Sequence, residues 1–297
     1  MAFGPRSWQE TAVMTLKTTG CSMHPTEFRA YHEPSLEPDD VKHGLILNAL
    51  RQMGVERSVG FSYWTLGRSG ECAVKMGRYS IVLGALDENQ CRNLAELTAH
   101  TDYPGVIGTD LTASWFADRA GELGLQFLEP DLLQIYSISD KPRYPGAFGH
   151  PQPVTIKDTT LLADWLIAFH READPHDPVP VREELERAAG EDRFLFWIDK
   201  GRPVSMAGIV RRLKHSAAIA AVYTPPELRG RGYAGSATAA TVERIFAEGR
   251  KIACLYADLR NPASNRCYAK IGFTPVCKSL HFHRTAAPQG WTVHVRD

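Results

Sequence analysis

The spacing of apolar residues changes repeatedly between a helical period and short continuous runs, which predicts a mixed α/β protein. Leu45, Ile46, Ala49, Leu50 and Met53 have helical spacing, and several later apolar runs are separated by glycine turns as strands are. In the first half, the predicted helices are 41–53, 87–99 and 111–123, and the predicted strands are 61–66, 72–76, 79–86, 105–108 and 132–138.

The second half repeats this alternation in a more complete form. Its predicted helices are 160–170, 181–189, 234–247 and 264–270, and its predicted strands are 194–199, 204–211, 217–224, 252–259 and 276–283. Helices that alternate with strands in this way cover the faces of one mixed sheet. The sequence therefore predicts an α/β fold in each half.

A chain of 297 residues exceeds the usual size of one domain, so two domains are expected. Prolines and glycines crowd the stretch 139–153, which has no apolar period and is expected to break both helix and strand. We therefore predict a first domain at 1–140, a linker at 141–153, a second domain at 154–285 and a tail at 286–297.

Composition favours a small-molecule partner. The 34 basic residues balance the 34 acidic ones, and no charge run marks a nucleic-acid or anionic-membrane surface. Residues 1–28 contain no apolar run long enough for a signal peptide, and no segment reaches membrane-spanning length. These features predict a cytoplasmic protein. A monomer or a homodimer is expected, although the sequence does not reveal which.

The cysteines and histidines give no metal signature. The six cysteines form no CxxC pair and have no zinc spacing, which predicts reduced thiols. His170 and His176 are separated by a segment with Pro175 and match no common metal site. We therefore expect no bound metal.

The most informative segment, residues 222–235, reads VYTPPELRGRGYAG. Its glycines let backbone N–H groups point toward one ligand, and the helix that follows adds unpaired donors and the positive end of its dipole. The small residues at 235–241 let that helix approach a sheet closely. The segment predicts a pyrophosphate site, although a purely structural turn remains an alternative for this motif alone.

A second segment, residues 261–273, reads NPASNRCYAKIGF and follows a predicted strand. Helix capping and packing explain such residues equally well in isolation. Together, however, the two segments resemble the acetyl-CoA-binding signatures of the GNAT N-acetyltransferase family. Arg229, Gly232 and Ala234 occupy the defining positions of its R/Q-x-x-G-x-G/A pattern, and the spacing of Asn261, Asn265, Tyr268 and Gly272-Phe273 fits its second signature.

The resemblance covers about 154–283 and implies the acyl-CoA N-acyltransferase fold with acetyl-CoA as donor. It implies that strands 217–224 and 252–259 splay apart to admit the pantetheine arm, that Asn261 hydrogen-bonds that arm, and that Tyr268 faces the sulfur. Arg229, Arg231 or Arg266 could neutralise CoA phosphates, or could be solvated surface residues. The implied cofactor-binding residues are Val222, Tyr223, Thr224, Arg229, Gly230, Arg231, Gly232, Tyr233, Ala234, Gly235, Asn261, Asn265 and Tyr268.

The implied chemistry is direct attack of an amine on the thioester. Tyr268 is the candidate general acid, because a phenol with a pKa near 10 keeps its proton at neutral pH; the alternative is that it only packs against the cofactor. Many family members carry a glutamate on the strand before the glycine loop, but residues 217–221 contain no carboxylate. Asp258 is a possible base, directly or through water, or it fixes the strand end.

The acceptor pocket and the first half are less clearly marked. Acidic and histidine residues that follow the first helix of the second half are candidates for recognising a cationic amine: His170, Glu172, Asp174 and His176. The first half has no glycine loop, since 67–70 reads as a hairpin turn. Its element order nevertheless resembles an incomplete GNAT domain. The chain is therefore predicted to be a tandem in which only the C-terminal copy binds cofactor.

A first half of this kind would wall the acceptor cleft, with Tyr63, Trp64 or Trp115 as contributors or, alternatively, as core residues. The leading functional prediction is an acetyl-CoA-dependent N-acetyltransferase acting on a small amine. Alternatives are an acyltransferase with another acyl donor or a bulkier acceptor, as in mycothiol synthase and glycine acyltransferases, and a CoA-binding sensor without turnover.

Overall fold

The computed structural model describes residues 23–53, 60–173, 182 and 192–285. The helices are α1 (Pro25–Leu36), α2 (Gly44–Gln52), α3 (Glu88–Thr98), α4 (Asp110–Glu122), α5 (Thr159–Ala173), α6 (Tyr233–Ala247) and α7 (Pro262–Ile271). The strands are β1 (Phe61–Thr65), β2 (Cys72–Met76), β3 (Ile81–Leu83), β4 (Gly105–Thr109), β5 (Asp131–Ile138), β6 (His150–Pro153), β7 (Phe194–Asp199), β8 (Arg202–Arg212), β9 (Ser216–Tyr223), β10 (Ile252–Asp258) and β11 (Thr274–His283).

These strands form one mixed sheet of eleven strands, in the order β1-β2-β3-β4-β11-β5-β10-β9-β8-β7-β6. The first half pairs β1, β2 and β3 antiparallel and then β3 and β4 parallel. The second half repeats this pattern, with β7, β8 and β9 antiparallel and then β9 and β10 parallel. The predicted mixed α/β fold is therefore confirmed, and the two halves repeat one topology about the centre of the sheet.

The last strand of each half is exchanged into the other half. Strand β5 pairs antiparallel with β10, from Ala253↔Ile138 to Asp258↔Leu133. Strand β11 pairs antiparallel with β4 and also with β5. The predicted boundaries at 140 and 154 remain a prediction, but the sheet runs continuously across them. At the centre of the sheet, each half therefore pairs with the last strand of the other half.

Two elements differ from the sequence prediction. Residues 150–153 form strand β6 inside the predicted linker, because an edge strand needs a partner on one side only and therefore tolerates Pro151 and Pro153. Helix α1 was not predicted, because its apolar pattern is interrupted. One of its three buried residues, between Phe28 and Leu36, is the polar His32, and Pro34 lies inside the helix. The predicted helix at 181–189 falls outside the described residues, apart from position 182.

Helices α6 and α7 cover one face of the second-half sheet. Ala237, Ala239 and Ala240 of α6 are buried against this sheet, so the small residues bring the helix close to the strands, as the sequence predicted. The first half is fastened to the start of β9 by the buried carboxylate of Asp40. That carboxylate accepts hydrogen bonds from the backbone N–H groups of His215 and Ser216, at 2.8 and 3.1 Å.

Within the described ranges, no helix combines the length and apolar character needed to cross a bilayer. The described cysteines are free thiols: Cys72, Cys91, Cys254, Cys267 and Cys277.

The strand exchange predicts that the second half does not fold alone. Residues 154–285 lack β5, so the edge of β10 would be unpaired and exposed. This piece is expected to aggregate or to melt without cooperativity. Co-expressed pieces 1–140 and 141–297 are expected to elute together as one complex in size-exclusion chromatography. A cooperative thermal transition of isolated 154–285, at the temperature of the full chain, would contradict the exchange.

Candidate active site

The glycine loop between β9 and α6 has a backbone that only glycine adopts easily. After a short 3-10 helix at Pro226–Leu228, Gly230 and Gly232 have φ values of 79° and 81°. This left-handed conformation costs other residues roughly 1–2 kcal/mol. Gly232 is the N-cap of α6 and has no side chain to satisfy the N–H groups of the first turn. Unpaired donors of this kind, together with the helix dipole, suit the binding of an anion, and the pyrophosphate site remains a prediction.

The equivalent helix of the first half begins differently. Asp87 is the N-cap of α3, and its carboxylate accepts a hydrogen bond of 2.8 Å from the N–H of Gln90. The Gln90 side chain in turn accepts from the N–H of Asp87, at 2.9 Å. This capping box satisfies the helix start and places a negative charge where a phosphate would lie. The helix start of the first half is therefore closed to an anion.

Strands β9 and β10 diverge immediately before the glycine loop. Their parallel pairing runs from Ile252↔Ser216 to Leu255↔Ile219 and then ends, while β10 stays paired with β5 as far as Asp258. A cleft results between residues 220–224 and 256–258, which we call the β9–β10 cleft. Ala221 has a φ of 52° and lies where the β8–β9 register shifts, so a bulge turns β9 outward. The backbone beside the cleft is available to an extended ligand.

Side chains fix the β9 wall of this cleft. The Ser205 hydroxyl donates to the carbonyl of Tyr223 at 2.9 Å, and the Thr224 hydroxyl donates to Ser205 at 2.9 Å. Val222 packs against the hydrophobic cluster that includes the buried residues of α6, whereas the ring of Tyr223 lies 6.0 Å from the ring of Trp165 on α5. The wall is therefore anchored on both faces of the sheet.

The arginines of the two predicted segments differ in their contacts and exposure. Arg229 donates to the carbonyl of Thr224 at 2.9 Å and forms an ion pair of 2.7 Å with Glu172. Its guanidinium therefore braces the loop against α5, and Glu172 is already paired with a cation. Arg231 and Arg266 lie exposed.

The predicted acceptor residues are only partly within the described chain. His170 is half-buried on α5, and Asp174 and His176 lie outside the described residues.

The first turn of α6 is fixed by Tyr233, whose hydroxyl donates to Asp199 at 2.6 Å, and by the carbonyl of Ala234, which accepts from Thr238 at 2.8 Å.

The second predicted segment forms the other side of the cleft. Asn261 is the N-cap of α7, and its Oδ1 accepts from the N–H of Ser264 at 3.1 Å. The Asn265 amide donates to the carbonyls of Asp258 and Asn261, at 2.8 and 2.7 Å. Both asparagines thus hold the connection between β10 and α7. Its shape depends on their side-chain hydrogen bonds.

Tyr136 is a site residue that the sequence reasoning missed. Its hydroxyl donates to Asn265 Oδ1 at 2.8 Å, and its ring centroid lies 6.5 Å from that of Tyr268. Tyr136 belongs to β5, which reaches this place only through the strand exchange. No local pattern around position 136 signals such a contact.

Tyr268 lies on α7 with 9% of its surface exposed. Its ring packs against Phe273, with centroids 6.0 Å apart. Burial, with a smaller contribution from Cys267, raises the pKa of Tyr268 above its ordinary value. The phenol is therefore protonated at neutral pH and can serve as a proton donor.

Asp258 is held by a neighbouring cation. Its carboxylate accepts from the N–H of Arg260 at 2.7 Å and from the guanidinium at 3.0 to 3.1 Å. Arg260 also bonds Asp131, which contacts His283 at 2.9 Å. This geometry matches the structural alternative, in which Asp258 fixes the strand end. Its role as a base remains a prediction.

The aromatics that were candidates for a wall of the acceptor cleft lie in the first-half core. Tyr63 and Trp64 are each 3% exposed, and Trp115 packs against the cluster that contains Trp64. This packing matches the alternative interpretation, in which these aromatics are core residues.

Comparison with known proteins identifies the domain that carries this site. A family model described as "Acetyltransferase (GNAT) family" matches residues 159–273, which include the glycine loop and Tyr268. A search of curated protein sequences finds no match.

Solved structures share the fold at low sequence identity. A GCN5-related N-acetyltransferase from Kribbella flavida has a TM-score of 0.55 and 16% identity, covering 82% of this chain and 95% of that chain. One from Sphaerobacter thermophilus has a TM-score of 0.54 and 15% identity, covering 88% and 93%. A tandem GNAT protein from the clavulanic acid biosynthesis pathway has a TM-score of 0.51 and 11% identity, covering 82% and 88%.

These structural similarities establish the fold, and the family match lies on the half that contains the β9–β10 cleft. The chain carries a C-terminal domain of the GNAT acetyltransferase family.

Proposed function

We propose that this protein is an N-acetyltransferase that moves an acetyl group from acetyl-CoA to the amine of a small molecule. One observation carries the proposal: the β9–β10 cleft opens directly at the glycine loop and is bordered by the segment that presents Tyr268. A pyrophosphate, an amide-containing arm and a thioester would therefore find their partners in the order in which acetyl-CoA contains them.

The fit of CoA to these residues is chemical as well as spatial. Residues 220–224 have no strand partner on the β10 side, which suits the two amides of pantetheine, because strand N–H and C=O groups need partners. The uncapped first turn of α6 suits the pyrophosphate. The described residues of the loop include no carboxylate at the helix start, in contrast to Asp87 in the first half.

The proposed reaction is a direct transfer. Acetyl-CoA supplies the thioester; a new N–C bond forms, the C–S bond breaks, and the amine loses a proton. Tyr268 donates its proton to the departing sulfur and regains one from solvent. Because Arg260 holds both oxygens of Asp258, we assign removal of the amine proton to water, and Asp258 would accept that proton only through this water.

A CoA-binding sensor is the second candidate. The alanine-rich β9, which has no carboxylate at 217–221, and the engagement of Asp258 by Arg260 favour it. A panel of primary amines and amino acids, incubated with acetyl-CoA and assayed for thiol release, separates the two functions. Amine-dependent thiol release is expected. Tight CoA binding with no release by any amine would support the sensor.

Replacing Tyr268 by Phe removes the proposed proton donor and keeps the ring packing. We expect kcat to fall about 100-fold or more, with the Kd for CoA nearly unchanged. Because burial raises the pKa of Tyr268, the wild-type rate should show no alkaline decline from this group below about pH 10. The pH profile of kcat, measured with a saturating amine, checks both expectations.

Tyr103→Phe, which alters a buried tyrosine of the first half, is the matched control and should leave kcat unchanged. Equal turnover of Tyr268→Phe and wild type would remove the acid role.

Replacing Gly232 by Ala tests the anion site. The left-handed φ of 81° at the N-cap is strained for alanine, so the Kd for CoA is expected to rise about tenfold. Gly201→Ala is the control, because Gly201 has a similar φ of 72° in the β7–β8 turn, with nothing within 4 Å of an added Cβ. Titration calorimetry compares the two variants. Equal CoA affinities would place the pyrophosphate elsewhere.

A further inference from the structure

The segment between β5 and β6 takes a long path across the helices. Because the exchange places β5 at the centre of the sheet and β6 lies at its far edge, the connection must cross the second half. At its start, the backbone N–H of Arg143 donates to the carbonyl of Ile271 at 2.9 Å, and its guanidinium donates to the carbonyl of Lys270 at 3.2 Å. These bonds fasten the segment to the C-terminal end of α7. We call residues 143–149 the strap.

The strap lies against the first turn of α6. A Cβ added to Gly235 would lie 2.5 Å from Pro145 Cγ and 3.2 Å from Cys267 Sγ. A Cβ added to Gly232 would lie 3.5 Å from the Cβ of Ala147. The missing side chains of these glycines therefore let the strap border the proposed pyrophosphate site.

The strap is held at both ends of this contact. The Tyr144 hydroxyl donates to Glu243 on α6 at 2.6 Å, and the indole N–H of Trp197 donates to the carbonyl of Phe148 at 2.9 Å. Gly149 passes so close to β7 that an added Cβ would lie 2.2 Å from the carbonyl oxygen of Ile198. The backbone of Phe148 is thus anchored next to the glycine loop.

The side chain of Phe148 projects into solvent. Its exposed fraction is 87%, compared with 76% for Ile156 and 59% for Leu111 among other exposed large apolar residues. Single exposed apolar residues are ordinary on protein surfaces. Phe148 differs because its backbone is fixed beside an anion site whose proposed ligand continues into an aromatic base.

We propose that Phe148 on the strap is the stacking platform for the adenine of CoA. This inference rests on the proposed function, since it requires CoA at the glycine loop. The adenosine of CoA is joined directly to the pyrophosphate, so it lies against the surface that borders the loop. A phenyl ring offers one face to a base, and stacking of this kind contributes substantially to nucleotide binding.

The location also gives the first half a part in donor binding. The strap begins where β5 ends, and its path is set by the exchanged strand rather than by the glycine loop itself. Recognition of the nucleotide end of the donor would then come from the connection between the halves. Recognition of its pyrophosphate would come from the second half alone.

The test compares two ligands on the full-length protein by titration calorimetry. CoA contains adenosine, whereas 4′-phosphopantetheine lacks it. Phe148→Ala is expected to raise the Kd for CoA roughly tenfold and to leave the Kd for 4′-phosphopantetheine unchanged. Phe148→Trp should retain CoA affinity. Tyr79→Ala, which removes an aromatic ring that is 42% exposed in the first half, is the control and should change neither Kd.

Three results would overturn the proposal. Unchanged CoA affinity in Phe148→Ala would show that the ring makes no contact. An equal loss of affinity for both ligands would show that the strap only shapes the loop. Absence of CoA binding in the wild type would overturn the proposed function itself, and with it this subsite. Thermal melts of each variant establish that the fold is retained.

Discussion

The antiparallel pairing of β5 with β11 and β10 at the centre of the sheet is the interaction on which the other features depend. Strand β5 comes from the first half and pairs with β10 from Ala253↔Ile138 to Asp258↔Leu133. Strand β9 can then leave β10 after Ile219 without opening the sheet, because β10 keeps a partner on its other side. The cleft that we assign to the donor thus exists because the halves exchange their last strands.

The first half supports the site without duplicating it. Asp87 closes its own helix start, while Asp40 fastens it to the start of β9 and Tyr136 reaches Asn265 beside the cleft. The two copies of the fold therefore differ in function, because the N-terminus of α3 is capped by a side chain and that of α6 is not. The first copy supplies buried contacts and strand pairing, and the second supplies the proposed anion site and the phenol of Tyr268.

Features encoded in neighbouring residues could be predicted, and those produced by distant contacts could not. The left-handed glycines and the close packing of α6 follow from local sequence, because only glycine and small residues permit them. The exchange of β5 and β11 has no local signature, since each strand keeps the same alternation whichever partner it joins. Tyr136 and the strap were missed for that reason, and the ion pair of Asp258 with Arg260 became visible only with the backbone turn that brings them together.

The central claim is that the β9–β10 cleft and the glycine loop bind CoA. A crystal structure of the full-length protein grown with CoA tests it most directly. The account predicts density for pantetheine between residues 220–224 and 256–258, with the pyrophosphate at the N-terminus of α6 beside Gly232. Density for CoA at another surface, with this cleft filled only by solvent, would contradict it.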